Sequence, residues 1–263
     1  MKPDYKRARA DVLDGLTNWR IWSRLGWQEI KRRYRRTTLG PFWVTLSLGM
    51  FVGGMGFVWA PLFGASVSEY LPFISTGMVC WVFVSTIINE GCGTYTGAEA
   101  LIKQLNFSLS ILNWILVWRN TIVLLHNLVI VAIVILVLQV PINWNMLLFF
   151  PGVLIVMVNG MWISMLLGMI SARYRDVPQL VANLVQIMMF VTPVFWYAQQ
   201  LGSRAKVIDF NPLFHLIDVI RSPLLGHAPS LLSYGVDLAM AIVGWWVTMA
   251  IYARFRRRIA FWV

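Results

Sequence analysis

The chain has 263 residues, of which 59% are apolar and only 13% charged, and it carries a net charge of +11. That balance lies outside the range of soluble globular domains and excludes an ordinary water-soluble enzyme; it marks an integral membrane protein. The surplus of Lys and Arg sits beside apolar runs, where orientation signals and anionic headgroups account for it, so nucleic acid is set aside as a partner.

Taken in order, Met1 to Arg36 is highly charged and lacks the short apolar core and small-residue cleavage site of a secretory signal, so insertion is expected to rely on an uncleaved first span. Within residues 1–41, the stretch Gly15 to Tyr34 places Leu16, Trp19, Trp27, Ile30 and Tyr34 within roughly an 80° arc of a 100°-per-residue wheel. Arg20, Arg24, Lys31 and Arg35 flank that arc, which predicts an amphipathic helix lying in the membrane interface. A docking surface for a partner subunit fits the same residues.

Residues 42–63 are uncharged and about as long as the ~20 residues needed to cross a bilayer. Lys31, Arg32, Arg33, Arg35 and Arg36 directly precede this first span and hold the N-terminus on the cytoplasmic side. A second span is expected over 70–88, with a polar tail, NEGCGTYTGAE, that carries Glu90 and Glu99 toward the cytoplasm. Cys80 and Cys92 both fall on this helix, about 18 Å apart at 1.5 Å rise per residue, too far to pair. Ala100 to Ser110, with Lys103, reads as a cytoplasmic loop or a short transverse helix. The third span is expected over 121–140, preceded by Trp114, Trp118 and Arg119; an arginine at mid-bilayer would cost at least ~2.5 kcal/mol, so Arg119 is placed at the interface.

Pro141 to Asn145 predicts an external turn, followed by a fourth span over 146–171. Gly160, Ser164 and Gly168 give that span a small-residue seam, and Gly49 and Gly53 give span one another, both suited to packing within the subunit. A short charged turn, ARYRDVP, leads to a fifth span over 179–197, which carries Asn183 and Gln186 three positions apart on one face. Residues 198–230 are the longest connection and are not polar, and their helical pieces are too short to cross. With Asn211 as N-cap and Pro212 at the first helical position, they predict a re-entrant or interfacial helical hairpin on the outer face. The last span, 231–252, runs into a basic tail, 253–263. The expected fold is thus an all-α integral membrane protein of six spans with both ends inside, and only Arg204, Lys206 and Arg221 among its cations then fall outside.

Chemistry is sparse. No GxxxxGK[ST] phosphate loop, HExxH, CxxC or paired acidic motif occurs, so no catalytic residue and no metal ligand is assigned. His126, His215 and His227 lie far apart, and His126, inside span three beside Asn127, fits a packing role between helices as well as a proton site. For Glu90, an ion pair or gating contact with Arg119 competes with simple placement at the interface.

The order of RRYRRTTLGPFW, ALIKQLNFSLS, ARYRDV, TPVFW and NPLFHLIDVIRSPLL resembles the permease subunit of ABC-2 type polysaccharide exporters over nearly the whole chain. The resemblance implies a homodimer in the bacterial cytoplasmic (inner) membrane, paired with two copies of a separate ATPase that holds the ATP and Mg. It also implies a lipid-linked polysaccharide substrate such as O-antigen, capsule or teichoic acid. On that basis Glu99, Lys103, Gln104, Arg173, Tyr174, Arg175 and Asp176, in the short connections of the cytoplasmic face, are expected to meet the ATPase. Trp19, Trp27, Lys31, Arg32, Arg33 and Tyr34 of the interface helix are expected to pass its motion to span one through the Thr37–Pro41 link. A path between spans one and five would use Asn183, Gln186, Thr192, Phe195, Trp196 and Tyr197. Two rival classes are a lipid-linked sugar transferase, which would need clustered acids, and a secondary transporter, which would need matched inverted halves.

Overall fold

The computed structural model describes residues 3–35, 40, 42–105 and 107–263, and all regular structure among them is helical. Arg36, Asn106 and most of the Thr37–Pro41 link lie outside the described residues. Ten α-helices follow one another: α1 (Tyr5–Thr17), α2 (Trp19–Arg33), α3 (Phe42–Leu62), α4 (Val67–Cys92), α5 (Glu99–Gln104), α6 (Ser110–Val137), α7 (Phe149–Arg173), α8 (Val177–Val191), α9 (Pro212–Leu224) and α10 (Leu231–Trp262). Of these, α3, α4, α6, α7 with its preceding turn, and α10 are long and apolar enough to cross a membrane, and α8 is a shorter apolar helix.

α4 is the hub of the bundle. Ser66 and Glu69 form a reciprocal capping box at its start. α3, α6, α7, α8 and α9 all pack on it, and 72% of its most apolar stretch is buried, against 22% for α3. The Gly160–Ser164–Gly168 seam of α7 lies within the chain, against Ile87, Gly91 and Tyr95, where a side chain larger than these would collide. In the seam of the first span only Gly49 packs inside the subunit, against Ile130 of α6, whereas Gly53 faces open space.

Several expected boundaries move. The N-terminal segment is two helices, not one, because Asn18 leaves helical geometry and folds its amide back to Asp14. α6 begins at Ser110 rather than Thr121, which takes Trp114, Trp118 and Arg119 into the helix. The fifth span is helical only to Val191: Thr192 is extended, and Pro193 has no N–H with which to continue the ladder. Thr192, Phe195, Trp196 and Tyr197 therefore lie on irregular chain. The basic tail 253–263 is not separate either, since α10 runs on to Trp262. Residues 198–210 form tight 3₁₀ turns broken at Gly202, where φ is +54°. After them Asn211 caps α9 by accepting the Leu213 N–H at 3.0 Å, and α9 lies against α4, α7 and α10.

Candidate functional site

Two polar constructions stand out, one on the face that carries the chain termini and one at the opposite end of α8. On the terminal face, α1 is clamped by a single carboxylate. Asp11 is 3% exposed and accepts from the first free N–H groups of α6, Leu109 at 3.2 Å and Ser110 at 3.1 Å. An anion at a helix N-terminus is stabilised by those unpaired N–H groups and by the helix dipole. The Tyr252 hydroxyl donates to the same carboxylate at 2.8 Å and Arg256 Nε at 2.8 Å, so Asp11 ties α1, α6 and α10 together. Gly15, one turn on, leaves α1 free to approach Ser110, whose hydroxyl donates to the Asp11 carbonyl at 2.8 Å. Below it, Tyr95 donates to Asn113 at 3.0 Å, and Asn113 donates to Ser164 at 3.1 Å. Burial pushes the Tyr95 phenol far up, so it acts as a neutral donor.

α2 is held by a second network. Arg119 bridges Glu29 of α2 and Glu90 of α4, Arg33 donates to Glu90 at 2.9 Å, and Asn120 donates to Glu90 at 3.1 Å. Glu90 is thus an ion-pair residue, and Arg119 is accommodated inside α6 because two carboxylates neutralise it. Trp22 stacks on Trp114 at 5.4 Å and meets Trp118 edge-on at 5.7 Å, while Gly26 lets the helix sit close to Trp118. The face of α2 that meets the bundle is therefore Trp22, Gly26, Glu29, Ile30 and Arg33, which shares Ile30 with the apolar arc. Trp19 and Trp27 are exposed, with Arg20 over one ring and Lys31 over the other. Arg32 and Arg33 border a cleft of about 520 Å³ with Glu90, Arg119 and Leu101 of α5. Tyr34 caps α2, its N–H bonded to Ile30.

Beside this cleft, α5 buries only Ile102 and exposes Leu101, and Leu105 just after the helix is exposed as well. Lys103 binds Glu99 at 2.6 Å and holds its carboxyl below the usual range, with Arg175 adding to the effect from the α7–α8 turn. Glu99, Lys103, Gln104, Arg173, Tyr174, Arg175 and Asp176 are all exposed. Arg173 lies over the Trp262 ring, and Arg175 donates to the Trp262 carbonyl at 3.1 Å. The two expected coupling segments thus share one face.

At the other end, the broken continuation of α8 is carried by Arg221. This side chain is 7% exposed and donates to the carbonyls of Pro193 at 2.6 Å, Val194 at 3.3 Å and Phe73 at 2.9 Å, with the Phe73 ring 3.7 Å beneath its guanidinium carbon. Tyr70 donates to the Phe195 carbonyl at 2.5 Å, Asn211 to the Thr192 hydroxyl at 2.8 Å, and the Trp196 indole to the Phe190 carbonyl at 3.0 Å. Irregular chain at membrane depth needs every carbonyl satisfied within the protein, and these side chains do it. Trp59, Phe63, Tyr70, Phe73, Phe195 and Tyr197 pack ring on ring around the break.

Not every expected wall residue is available. Thr192 and Phe195 are buried in the subunit, Trp196 and Tyr197 are half-buried, and only Asn183 and Gln186 are exposed, on the outward face of α8. Asn183 accepts from Gln179 at 3.3 Å one turn away, so neither Asn183 nor Gln186 makes a described hydrogen bond to another helix. His126 is occupied by its own helix: Nδ1 lies 2.8 Å from the Ile122 carbonyl, and the ring meets Phe42 edge-on. Asp11 and Arg221 were not singled out from sequence. Pro193 was the available signal for the break that Arg221 serves, whereas nothing around Asp11 distinguishes it from other acids in a charged segment.

Membrane-spanning helices with two further helices clamped to one face, and short polar connections gathered beside them, define a multi-pass membrane protein. A family model described as ABC-2 type transporter matches residues 21–225, and the chain belongs to that family. It is also similar to the O-antigen export system permease protein RfbA of Myxococcus xanthus, with 25% identity over 246 residues that cover 89% of this chain and 91% of that protein.

Proposed function

We propose that the chain is the transmembrane subunit of an ATP-driven exporter that moves a lipid-linked polysaccharide of the O-antigen type across the bacterial cytoplasmic membrane. The observation that carries the reading is the match to an O-antigen export permease over nearly the full length of both chains. The subunit works as a homodimer with two copies of an ABC ATPase, which bind ATP and Mg in their own chains, and both termini face the cytoplasm. In support of a dimer, α3 leaves most of its surface unpacked and α8 exposes Leu180, Leu184, Ile187 and Phe190 beside Asn183 and Gln186. That polar pair, with the half-buried Trp196 and Tyr197, forms the wall facing the glycan.

α5 and the Arg173–Asp176 turn receive the ATPase, with charges of both signs to orient a complementary partner. α2, fastened through Glu90 to α4 and through Arg119 to α6, carries the ATPase's closing motion into the bundle. The test is co-purification followed by crosslinking. Cysteines in place of Lys103 and Asp176 should crosslink to an ATPase encoded beside this chain, and the subunit should be required for surface polysaccharide. Crosslinks that never form would overturn the docking assignment; a deletion strain with unchanged surface polysaccharide would overturn the substrate.

A further inference from the structure

α1 has a face that the fold leaves uncovered. On a 100°-per-residue wheel, Tyr5, Leu16, Arg9, Leu13 and Lys6, all exposed, fall in that order within roughly a 100° arc. The neighbouring face, Ala8, Asp11 and Gly15, is the one buried against the bundle. The uncovered face meets α10 at a groove of about 490 Å³, lined by Tyr5, Arg9 and Leu13 on one side and Trp245, Trp246 and Met249 on the other.

The position of the groove says what covers it. α10 leaves its N-cap at Ser230 and meets no basic residue before Arg254. At 1.5 Å per residue, Trp245 to Ala250 lie roughly 21–30 Å along that helix, so the groove sits where a hydrocarbon core of about 30 Å gives way to headgroups. Tryptophans at that depth are interface anchors, and Trp246 is 74% exposed. The cations beside the groove are unspent: the ion-paired acids of α1, Asp4 and Asp11, face Arg7, Arg257 and Arg256 instead of Arg9 or Lys6.

We propose that this groove is a binding site for one anionic phospholipid of the surrounding bilayer, whose phosphate rests on Arg9 with Lys6 beside it and whose acyl chain lies along Trp245, Trp246 and Met249. The lipid completes the attachment of α1, whose other face hangs on Asp11. The inference does not depend on what the transporter carries.

The test uses the purified full-length protein in detergent with phosphatidylglycerol, phosphatidylcholine or inorganic phosphate added, read by native mass spectrometry and by thermal unfolding. The expected result is a one-to-one phosphatidylglycerol adduct and a dose-dependent rise in unfolding temperature, with phosphatidylcholine weaker and inorganic phosphate without effect. Arg9→Gln should weaken phosphatidylglycerol binding about five-fold, in line with the contribution of one basic residue at an anionic surface, and Trp246→Ala should weaken both lipids. Arg24→Gln, on the exposed side of α2, should change nothing. Equal stabilisation by free phosphate, an adduct unchanged in Arg9→Gln and Trp246→Ala, or a crosslink from residue 9 to the ATPase in the assembled complex would each overturn the proposal.

Discussion

Replacing Asp11 by Ala removes the one side chain that joins α1, α6 and α10. It leaves the Leu109 and Ser110 N–H groups, the fully buried Tyr252 hydroxyl and the Arg256 guanidinium without an acceptor. Breaking a buried ion pair by removing one partner costs about 3–5 kcal/mol. The Arg256 side chain is 27% exposed and can recover part of its hydration, so the lower half of that range applies, ~3 kcal/mol. For a chain of this size that corresponds to a fall in unfolding temperature of roughly 6–12 °C. Asp11→Asn keeps an acceptor for the two helix N–H groups and should cost about half as much. The double variant Asp11→Asn with Arg256→Met removes the orphaned cation and should be more stable than the two single effects added together. Thermal unfolding of these three variants, of Arg256→Met alone and of the unchanged protein in one detergent measures all of this. A shift under about 2 °C for Asp11→Ala, or strict additivity in the double variant, would refute the clamp.

Other expectations follow from the same contacts. A side chain added at Gly77 would stand 2.4 Å from the Val194 carbonyl and one at Gly152 2.1 Å from the Val219 carbonyl, so each Gly→Ala change should destabilise by about 1–3 kcal/mol; Gly53→Ala, with nothing within 4 Å, should be neutral in the same unfolding assay. Arg221→Met orphans the Pro193 and Val194 carbonyls of the break after α8 and should lower the yield of folded protein on size-exclusion chromatography, whereas Lys206→Met, on the exposed turns, should not. Arg33→Glu sets two like charges at Glu90 and should loosen α2, seen as faster proteolysis of residues 3–35, while Arg32→Glu, exposed beside it, should act far less. Cysteines at 183 and 186 should react with a water-soluble thiol reagent in the ATP-bound transporter; protection in every state would remove α8 from the channel wall.

The crossing elements were legible because uncharged runs of ~20 residues have few other uses, and the cap at Asn211 and Pro212 could be read directly. What stayed hidden depended on partners distant in sequence. An arginine is costly at mid-bilayer, which puts Arg119 at the interface and the start of span three after it, whereas the helix itself already begins at Ser110. Of the two acids that neutralise Arg119, Glu90 is a partner the sequence already offers, whereas Glu29, 90 residues away, is announced by no local pattern. The apolar arc of α2 and the surface that packs on the bundle are different faces: Trp19 and Trp27 stay exposed beside Arg20 and Lys31, while Trp22 finds Trp114 and Trp118, partners that a wheel of α2 alone does not contain. The short α8 is the exception. Pro193 was visible, and the early end of the helix follows from its missing N–H.

The most direct test of the account is transport by the purified complex. The subunit and its ATPase would be reconstituted together in proteoliposomes with a fluorescent lipid-linked O-antigen, and the glycan reaching the opposite face would be followed with and without ATP. The account predicts movement that requires ATP hydrolysis and both chains. Movement driven by an ion gradient without ATP, or none despite active hydrolysis by the bound ATPase, would contradict it.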